Sequence, residues 1–286
     1  AIIRPRRSVL YMPGSKQRAL EKGKELATDA IIFDLEDAVA PDMKEMARDQ
    51  VLAAVSAGGY GNRELVIRSN GIDTPWFKDD LAAAAKAKPD AILIPKVSSG
   101  QDVQNVRNQL KNLNADKSIE LWAMMETPLA MLKALEIAES AADESHPLTV
   151  FIMGTNDLAK ETGAAIKPGR EAMLSWLSTC VAAGHAFGID IIDGVYNDFK
   201  NDTGFKTECE QGSNLGMDGK TLIHPGQIAP CNEVFSPSNE AIEWAKTIIE
   251  AFEQPENQGK GAITVEGKMV ELLHAEMAKR TVAISE

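Results

Sequence analysis

The chain has 286 residues, 44% of them hydrophobic, which is material enough for one barrel-sized core. With 30 Lys+Arg against 42 Asp+Glu its formal net charge is −12, which argues against a dedicated nucleic-acid binder, since such proteins present a basic face. No apolar run approaches the ~18 residues of a membrane span, and no signal-peptide pattern is read at the start.

In chain order, short β-branched, apolar runs alternate with amphipathic stretches. Run 8–12 precedes a helical 15–26, 30–33 precedes 43–57, 65–68 precedes 76–87, and 91–94 precedes 101–113. The pattern continues with 119–125 before 129–140, 149–153 before 170–187, 189–192 before 205–215, and 221–223 before 239–252. Fully apolar short runs suit parallel strands buried on both faces. Eight strand–helix units in succession predict an α/β fold of the (β/α)8 TIM-barrel type. An open doubly wound sheet is the rival, because periodicity does not show closure.

Punctuation agrees with this division. Pro41-Asp42, Thr74-Pro75, Thr127-Pro128 and Ser236-Pro237-Ser238 stand where helices should begin. Gly58-Gly59 and Gly188 stand where they should end. After residue 253 the composition turns polar. Residues 254–261 read as a linker, 262–265 and 268–270 as a hairpin, and 271–282 as a helix. The expected organisation is a catalytic barrel over 1–253 and a short, lid-like C-terminal hairpin–helix extension over 254–286.

Three cysteines (Cys180, Cys209, Cys231) without a C-x-x-C spacing suit a reducing, cytoplasmic setting rather than a disulfide framework. The four histidines form no i, i+4 pair, so the helical zinc motif is absent.

A barrel builds its site at the C-terminal ends of its strands. The polar residues expected there are Asp34, Glu36 and Asp37, then Arg68 and Asn70, Lys96, Glu126, Asn156 and Asp157, Asp193 and His224. Carboxylates from several strands converge there, and a set without soft ligands suits Mg²⁺ better than Zn²⁺ or Cu²⁺. Glu126 and Asp157 are the expected ligand pair, with Glu36 and Asp37 placed to orient metal-bound water. Arg68, ending a buried strand, could grip a carboxylate or an oxyanion, or form a salt bridge to Asp34 or Glu36. Lys96 raises a Schiff-base alternative, ranked lower because neighbouring acids keep it protonated. His224, before Pro225, could be a base, but a histidine before a proline at a strand end is more often a hydrogen-bonded structural residue.

These residues sit in a family pattern. Arg7-Ser8-Val9-Leu10-Tyr11-Met12-Pro13-Gly14, then Asp34-Leu35-Glu36-Asp37-Ala38-Val39, resembles the citrate lyase β-subunit-like group of malyl-CoA, citramalyl-CoA and citryl-CoA lyases in the HpcH/HpaI aldolase superfamily. Ile67-Arg68-Ser69-Asn70-Gly71, Met125-Glu126-Thr127-Pro128, Gly154-Thr155-Asn156-Asp157-Leu158 and Asp218-Gly219-Lys220-Thr221-Leu222-Ile223-His224-Pro225 extend the likeness along the barrel. The resemblance implies a TIM barrel, Mg²⁺ on Glu126 and Asp157, Arg68 on the substrate, a CoA thioester as substrate, and a homotrimer or homohexamer. The implied chemistry is Claisen-type cleavage of a short 3-hydroxyacyl-CoA to acetyl-CoA and a 2-oxo acid.

Two positions depart from the family pattern. Asn156 stands where a Glu is frequent. In Gly267-Lys268-Met269-Val270-Glu271, Glu271 replaces an Asp that such lyases often supply to a neighbouring site as acid/base. One extra methylene matters where a displacement of about 1 Å costs ~10²-fold. The C–C lyase is therefore the first expectation, thioester hydrolysis of malyl-CoA or a related 3-hydroxyacyl-CoA the second, and a non-catalytic CoA-binding subunit the third. The first 24 residues carry seven basic side chains against Glu21 alone, a local +6. That makes Lys16 and Arg18 the expected contacts for CoA phosphates, with Asn156 as a further ligand contact.

Overall fold

The computed structural model describes residues 3–286, which form two compact units. One is Arg7–Val234; the other is Phe235–Glu286 together with the segment up to Arg6.

In the first unit eight parallel strands follow one another around a closed barrel. They are β1 (Ser8–Pro13), β2 (Ala30–Asp34), β3 (Glu64–Arg68), β4 (Ala91–Ile94), β5 (Glu120–Met125), β6 (Leu148–Met153), β7 (Asp190–Asp193) and β8 (Gly219–Leu222). The first and last strands pair directly, Ser8 with Lys220, Val9 with Thr221 and Leu10 with Leu222. That pairing makes the fold a barrel and excludes the open sheet.

Helices α1 (Gln17–Lys22), α2 (Lys44–Ala57), α3 (Phe77–Ala87) and α4 (Gly100–Asn112) follow the first four strands. α5 (Pro128–Leu132) and α6 (Ala134–Glu139) follow β5; α7 (Thr155–Thr162) and α8 (Leu174–Ala186) follow β6. α9 (Asp202–Asn214) follows β7, and α10 (Ile228–Phe235) follows β8. Three of these differ from the sequence expectation, and α10 is one, since the helix after the eighth strand was expected only at 239–252. The single helix expected over 129–140 is divided at Lys133, whose φ −111 and ψ 18 leave the helical region. α7 falls in a stretch read as loop: it spans eight residues and ends at Gly163 in the left-handed conformation, too short for a period to show.

The barrel is filled by alternate residues of its strands, as the two-residue period of a strand requires. Ala30 and Ile32, Ala91 and Leu93, Trp122 and Met124, and Val150 and Ile152 belong to one buried cluster with Val9, Val66 and Ile192. The shortest ladder is between β7 and β8, where only Ile192 faces Gly219 and Asp193 faces Lys220. A buried ionic clamp reinforces that seam. Asp193 accepts two bonds from Arg170, at 2.7 and 2.9 Å, and lies 3.2 Å from the Lys220 ammonium. Lys220 also donates to the Gly194 carbonyl at 2.7 Å and to Glu208 at 2.6 Å. Burial opposes ionisation of Asp193, but Lys220 and Arg170 outweigh it and hold the carboxyl below its ordinary range.

The second unit contains α11 (Asn239–Glu253), an antiparallel hairpin of β9 (Ala262–Val265) and β10 (Lys268–Glu271), and α12 (Leu272–Ser285). Its core joins Ala245 and Ile248 of α11 to Ile263, Val265 and Val270 of the hairpin and to Ala275 and Ala278 of α12. α11, which the sequence reading grouped with the barrel through residue 253, thus shares its core with the extension. Among the described residues no helix is long and apolar enough to cross a membrane.

Asp193→Asn removes a carboxylate from a cluster that holds two buried cations. Breaking a buried pair on one side costs about 3–5 kcal/mol, so urea unfolding should show a loss of that size with little change in slope.

Candidate active site

At the C-terminal ends of the strands the barrel opens into a cavity of about 300 Å³. Tyr11, Asp34, Arg68, Glu126 and Asp157 are among the residues that line it. Tyr11 lies within β1, and the other four sit at or just beyond strand ends.

Arg68 and Asp34 occupy opposed positions on β3 and β2. This register puts the guanidinium beside the carboxylate. Arg68 Nε donates to Asp34 Oδ1 at 2.8 Å, and Nη2 donates to Oδ2 at 2.7 Å. The Tyr11 ring lies 4.7 Å from the guanidinium carbon, a cation–π contact. Backbone amides of Glu36 and Ala38 also donate to Asp34, at 2.9 and 3.1 Å. Burial would raise the Asp34 pKa, yet Arg68 and these amides bring it below the ordinary value. Nη1 of Arg68, the nitrogen that Asp34 does not engage, stands 3.4 Å from Glu36 Oε1. The two salt-bridge partners weighed for Arg68 from sequence are thus both present.

Glu126 follows β5 and is almost completely buried. Its Oε1 accepts the Lys96 backbone N–H at 2.9 Å, whereas its buried Oε2 has no hydrogen-bond partner. Burial, then the charges of Glu36 and Asp157, push its pKa up to about 8 against the pull of Arg68. Glu36 is raised to about 7, first by burial and then by Asp37, Asp34 and Asp157, again against Arg68. Asp157 stands in the first turn of α7, and Asp37 and Asp157 both line the cavity. The cavity therefore concentrates more carboxylate than Arg68 neutralises.

This arrangement fits a hard divalent cation. Glu126 presents a bare buried oxygen, Asp157 lines the same cavity, and the lining residues include no Cys or His, although the thioethers of Met124 and Met153 are among them. Among the described residues no three His, Cys, Asp or Glu side chains form a ready metal cage. Two carboxylates with remaining positions left to water is the habit of Mg²⁺ rather than Zn²⁺.

The other expected residues fall in several places. Asn156 lines the cavity and exchanges two amide hydrogen bonds with Asn197, at 3.0 and 2.9 Å. Lys16 and Arg18 are exposed at and near the start of the short helix α1 and are not among the cavity-lining residues. A neighbouring groove at Gln17 is acidic, with Asp42, Glu45 and Asp49. Glu271 caps α12: its side chain accepts from the helix backbone, and its own N–H donates to His274 Nδ1 at 2.9 Å. The Lys96 ammonium is half-exposed and 3.5 Å from Glu161. Burial lowers its pKa, but Asp157, Glu161 and Glu126 outweigh this and raise it, so it stays protonated and poorly nucleophilic. His224 accepts the Gly226 N–H at 3.0 Å and stacks on Phe199 at 5.0 Å, the structural role expected of it.

Sequence reasoning passed over Tyr11 as a site residue. Its signal was strand alternation: it lies on the inward row with Val9, which carries it to the cavity floor beneath Arg68. It also passed over Gly154 as a site residue, where a Cβ would lie 2.5 Å from Glu126 Cβ.

The model of the HpcH/HpaI aldolase/citrate lyase family matches residues 7–225. A (3S)-malyl-CoA thioesterase of Cereibacter sphaeroides is 52% identical over 283 residues, covering 99% of this chain and 95% of that protein. The mitochondrial citramalyl-CoA lyase of Homo sapiens is 30% identical over 291 residues, covering 98% and 86%. Among solved structures, protein CitE from Mycobacterium tuberculosis in complex with magnesium, acetoacetate and coenzyme A aligns with a TM-score of 0.73. That alignment has 27% identity and covers 99% of each chain.

Replacing Arg68 by Lys keeps the charge but loses the two-pronged grip on Asp34. The variant should fold while kcat/KM drops by about 10²-fold, as expected when a charged group shifts by an ångström. Steady-state kinetics with a circular-dichroism control measures this.

Proposed function

Because the chain is an enzyme of the HpcH/HpaI aldolase/citrate lyase family, we propose that it hydrolyses the thioester of a short 3-hydroxyacyl-CoA of the (3S)-malyl-CoA type, with Mg²⁺ in the barrel cavity. The observation that carries this reading is the 52% identity to a (3S)-malyl-CoA thioesterase over nearly the whole of both chains. The lyases, first in the sequence reading, are matched at about 30%.

Glu126 Oε2 and the Asp157 carboxylate are the groups that would hold the cation. Bound Mg²⁺ would supply positive charge to substrate oxygens and relieve the repulsion among the cavity carboxylates. Arg68, locked by Asp34, offers Nη1 to a substrate carboxylate or to the oxyanion that forms at the thioester carbonyl. Water adds to that carbonyl as its proton passes to Glu36, the C–S bond breaks, Glu36 returns the proton to the departing thiolate, and the products are the free acid and CoA thiol. Glu36 suits this task because burial, the first cause of its raised pKa, moves a carboxylate toward the neutral range in which a general base works. Asp37, at the cavity wall, orients the water. Asn156 hydrogen-bonds the acyl group, and the exposed Lys16 and Arg18 attract the CoA phosphates.

The test is a two-product assay. With malyl-CoA and Mg²⁺, free thiol should appear without glyoxylate, and excess EDTA should stop the reaction until Mg²⁺ is returned. Glyoxylate without thiol would identify a lyase. Glu36→Gln should lower kcat by about 10²-fold or more while KM changes little, the usual size of a general-base contribution. Glu271→Ser preserves a good helix cap but removes the carboxylate; a loss there as large as at Glu36 would move the proton-accepting role to Glu271.

A further inference from the structure

Two backbone features outside the carboxylate set decide how Glu126 stands. The first is at Lys96, a non-glycine residue with φ +53. Side-chain-bearing residues rarely adopt that left-handed conformation. There the Lys96 N–H meets Glu126 Oε1 at 2.9 Å. One oxygen is thereby tied, and the other is the buried atom without a partner.

The second feature is the converse case. Gly154, just after β6, has φ −91 and ψ 72, near the inverse γ-turn values that residues with side chains also adopt. Backbone freedom therefore does not explain a glycine there, but space does. A Cβ on Gly154 would lie 2.5 Å from Glu126 Cβ, 2.6 Å from Glu126 Oε2 and 3.0 Å from Met124 Cε. The end of the Met124 side chain can swing away. Glu126 Cβ is fixed to the end of β5, and the Gly154 N–H is bonded to the Met125 carbonyl at 3.0 Å, which holds the two strand ends together. An added methyl would press on Glu126 along its length, from Cβ to Oε2, so the carboxylate must move together with the root of its side chain.

We propose that Gly154 is a positioning residue for Glu126: its missing side chain leaves the volume in which the carboxylate stands with Oε1 on the Lys96 amide and Oε2 facing a cation. The inference rests on the Mg²⁺ reading above but not on whether the reaction is hydrolysis or carbon–carbon cleavage. It also assigns a reason to the first residue of Gly154-Thr155-Asn156-Asp157, which carries Asp157 three positions later.

The test is a double-mutant cycle read by Mg²⁺ titration calorimetry on substrate-free protein. Gly154→Ala should weaken Mg²⁺ binding by about tenfold or more with an unchanged circular-dichroism spectrum, and Glu126→Asp should weaken it by withdrawing the ligand. The double variant should bind better than the product of the two losses predicts, because the shorter acid removes the overlap at Oε2 and leaves only that at Cβ. A purely structural role for Gly154 would give no such coupling. Wild-type affinity in Gly154→Ala, or losses that simply multiply, overturns the inference. If Gly154→Ala unfolds, the melting temperature reads the same cycle: adding Glu126→Asp must raise it, and no rise overturns the inference. A wild-type protein that binds no Mg²⁺ sinks the metal reading and this inference with it, a result distinct from wild-type binding that Gly154→Ala leaves intact.

Discussion

The fork between Arg68 and Asp34 sets the electrostatics of everything around it. Two nitrogens of the guanidinium are committed to Asp34, at 2.8 and 2.7 Å, so most of its charge is already answered. What remains faces three further carboxylates, Glu36, Glu126 and Asp157, in a buried or half-buried place. Coulomb repulsion among them is strong where water is scarce. The raised pKa values of Glu36 and Glu126 follow first from burial and then from neighbouring carboxylates, Asp37, Asp34 and Asp157 for Glu36, and Glu36 and Asp157 for Glu126. The cavity is thus short of positive charge by construction, and that deficit is what a divalent cation would fill.

A second ionic cluster in the same barrel makes an instructive contrast. Around Asp193, the carboxylate oxygens are taken by Arg170 and Lys220, and Lys220 is further bonded to Gly194 and Glu208. Every member is answered, and the cluster ties β7 to β8 where the ladder is shortest. The chemistry of the two clusters is alike, but their satisfaction is not. A buried oxygen left without a partner costs free energy, and Glu126 Oε2 is such an atom. The fold spends no unsatisfied group on its seam, and places one in its cavity.

Much of this was legible in the sequence. Eight apolar runs spaced by amphipathic stretches indicated eight strand–helix units, and the strand-end rule brought Arg68, Glu126 and Asp157 to one mouth. Closure was not legible, because it is a hydrogen-bond pairing of β1 with β8 and leaves no period. α7 and the break at Lys133 were hidden because a helix of eight residues or fewer shows barely two turns of pattern. The Lys96 amide on Glu126 was invisible for a different reason: it depends on a left-handed φ at a residue type that disfavours it. Lys16 and Arg18 were read from charge count alone, and charge count carries no direction; the chain places them outside the cavity wall.

Hydrolysis and carbon–carbon cleavage start from the same kind of bound thioester, and relatives named for each share this family. Both need positive charge at the substrate oxygens, which Arg68 and a cation would supply alike. They differ in the proton that must move. In cleavage it belongs to a hydroxyl fixed on the bound acyl chain, so the base must come to it, and a base misplaced by about 1 Å loses most of its effect. In hydrolysis it belongs to water, which can shift to meet the base. Glu271, a methylene longer than the Asp frequent in lyases, has its carboxylate engaged in capping α12. Glu36 is held beside Arg68 with a pKa of about 7. A site whose base stands at a fixed strand end, and whose C-terminal carboxylate is otherwise engaged, is better matched to a mobile nucleophile than to an immobile hydroxyl. That asymmetry is a physical argument for the proposed hydrolysis, to be read beside the sequence likeness.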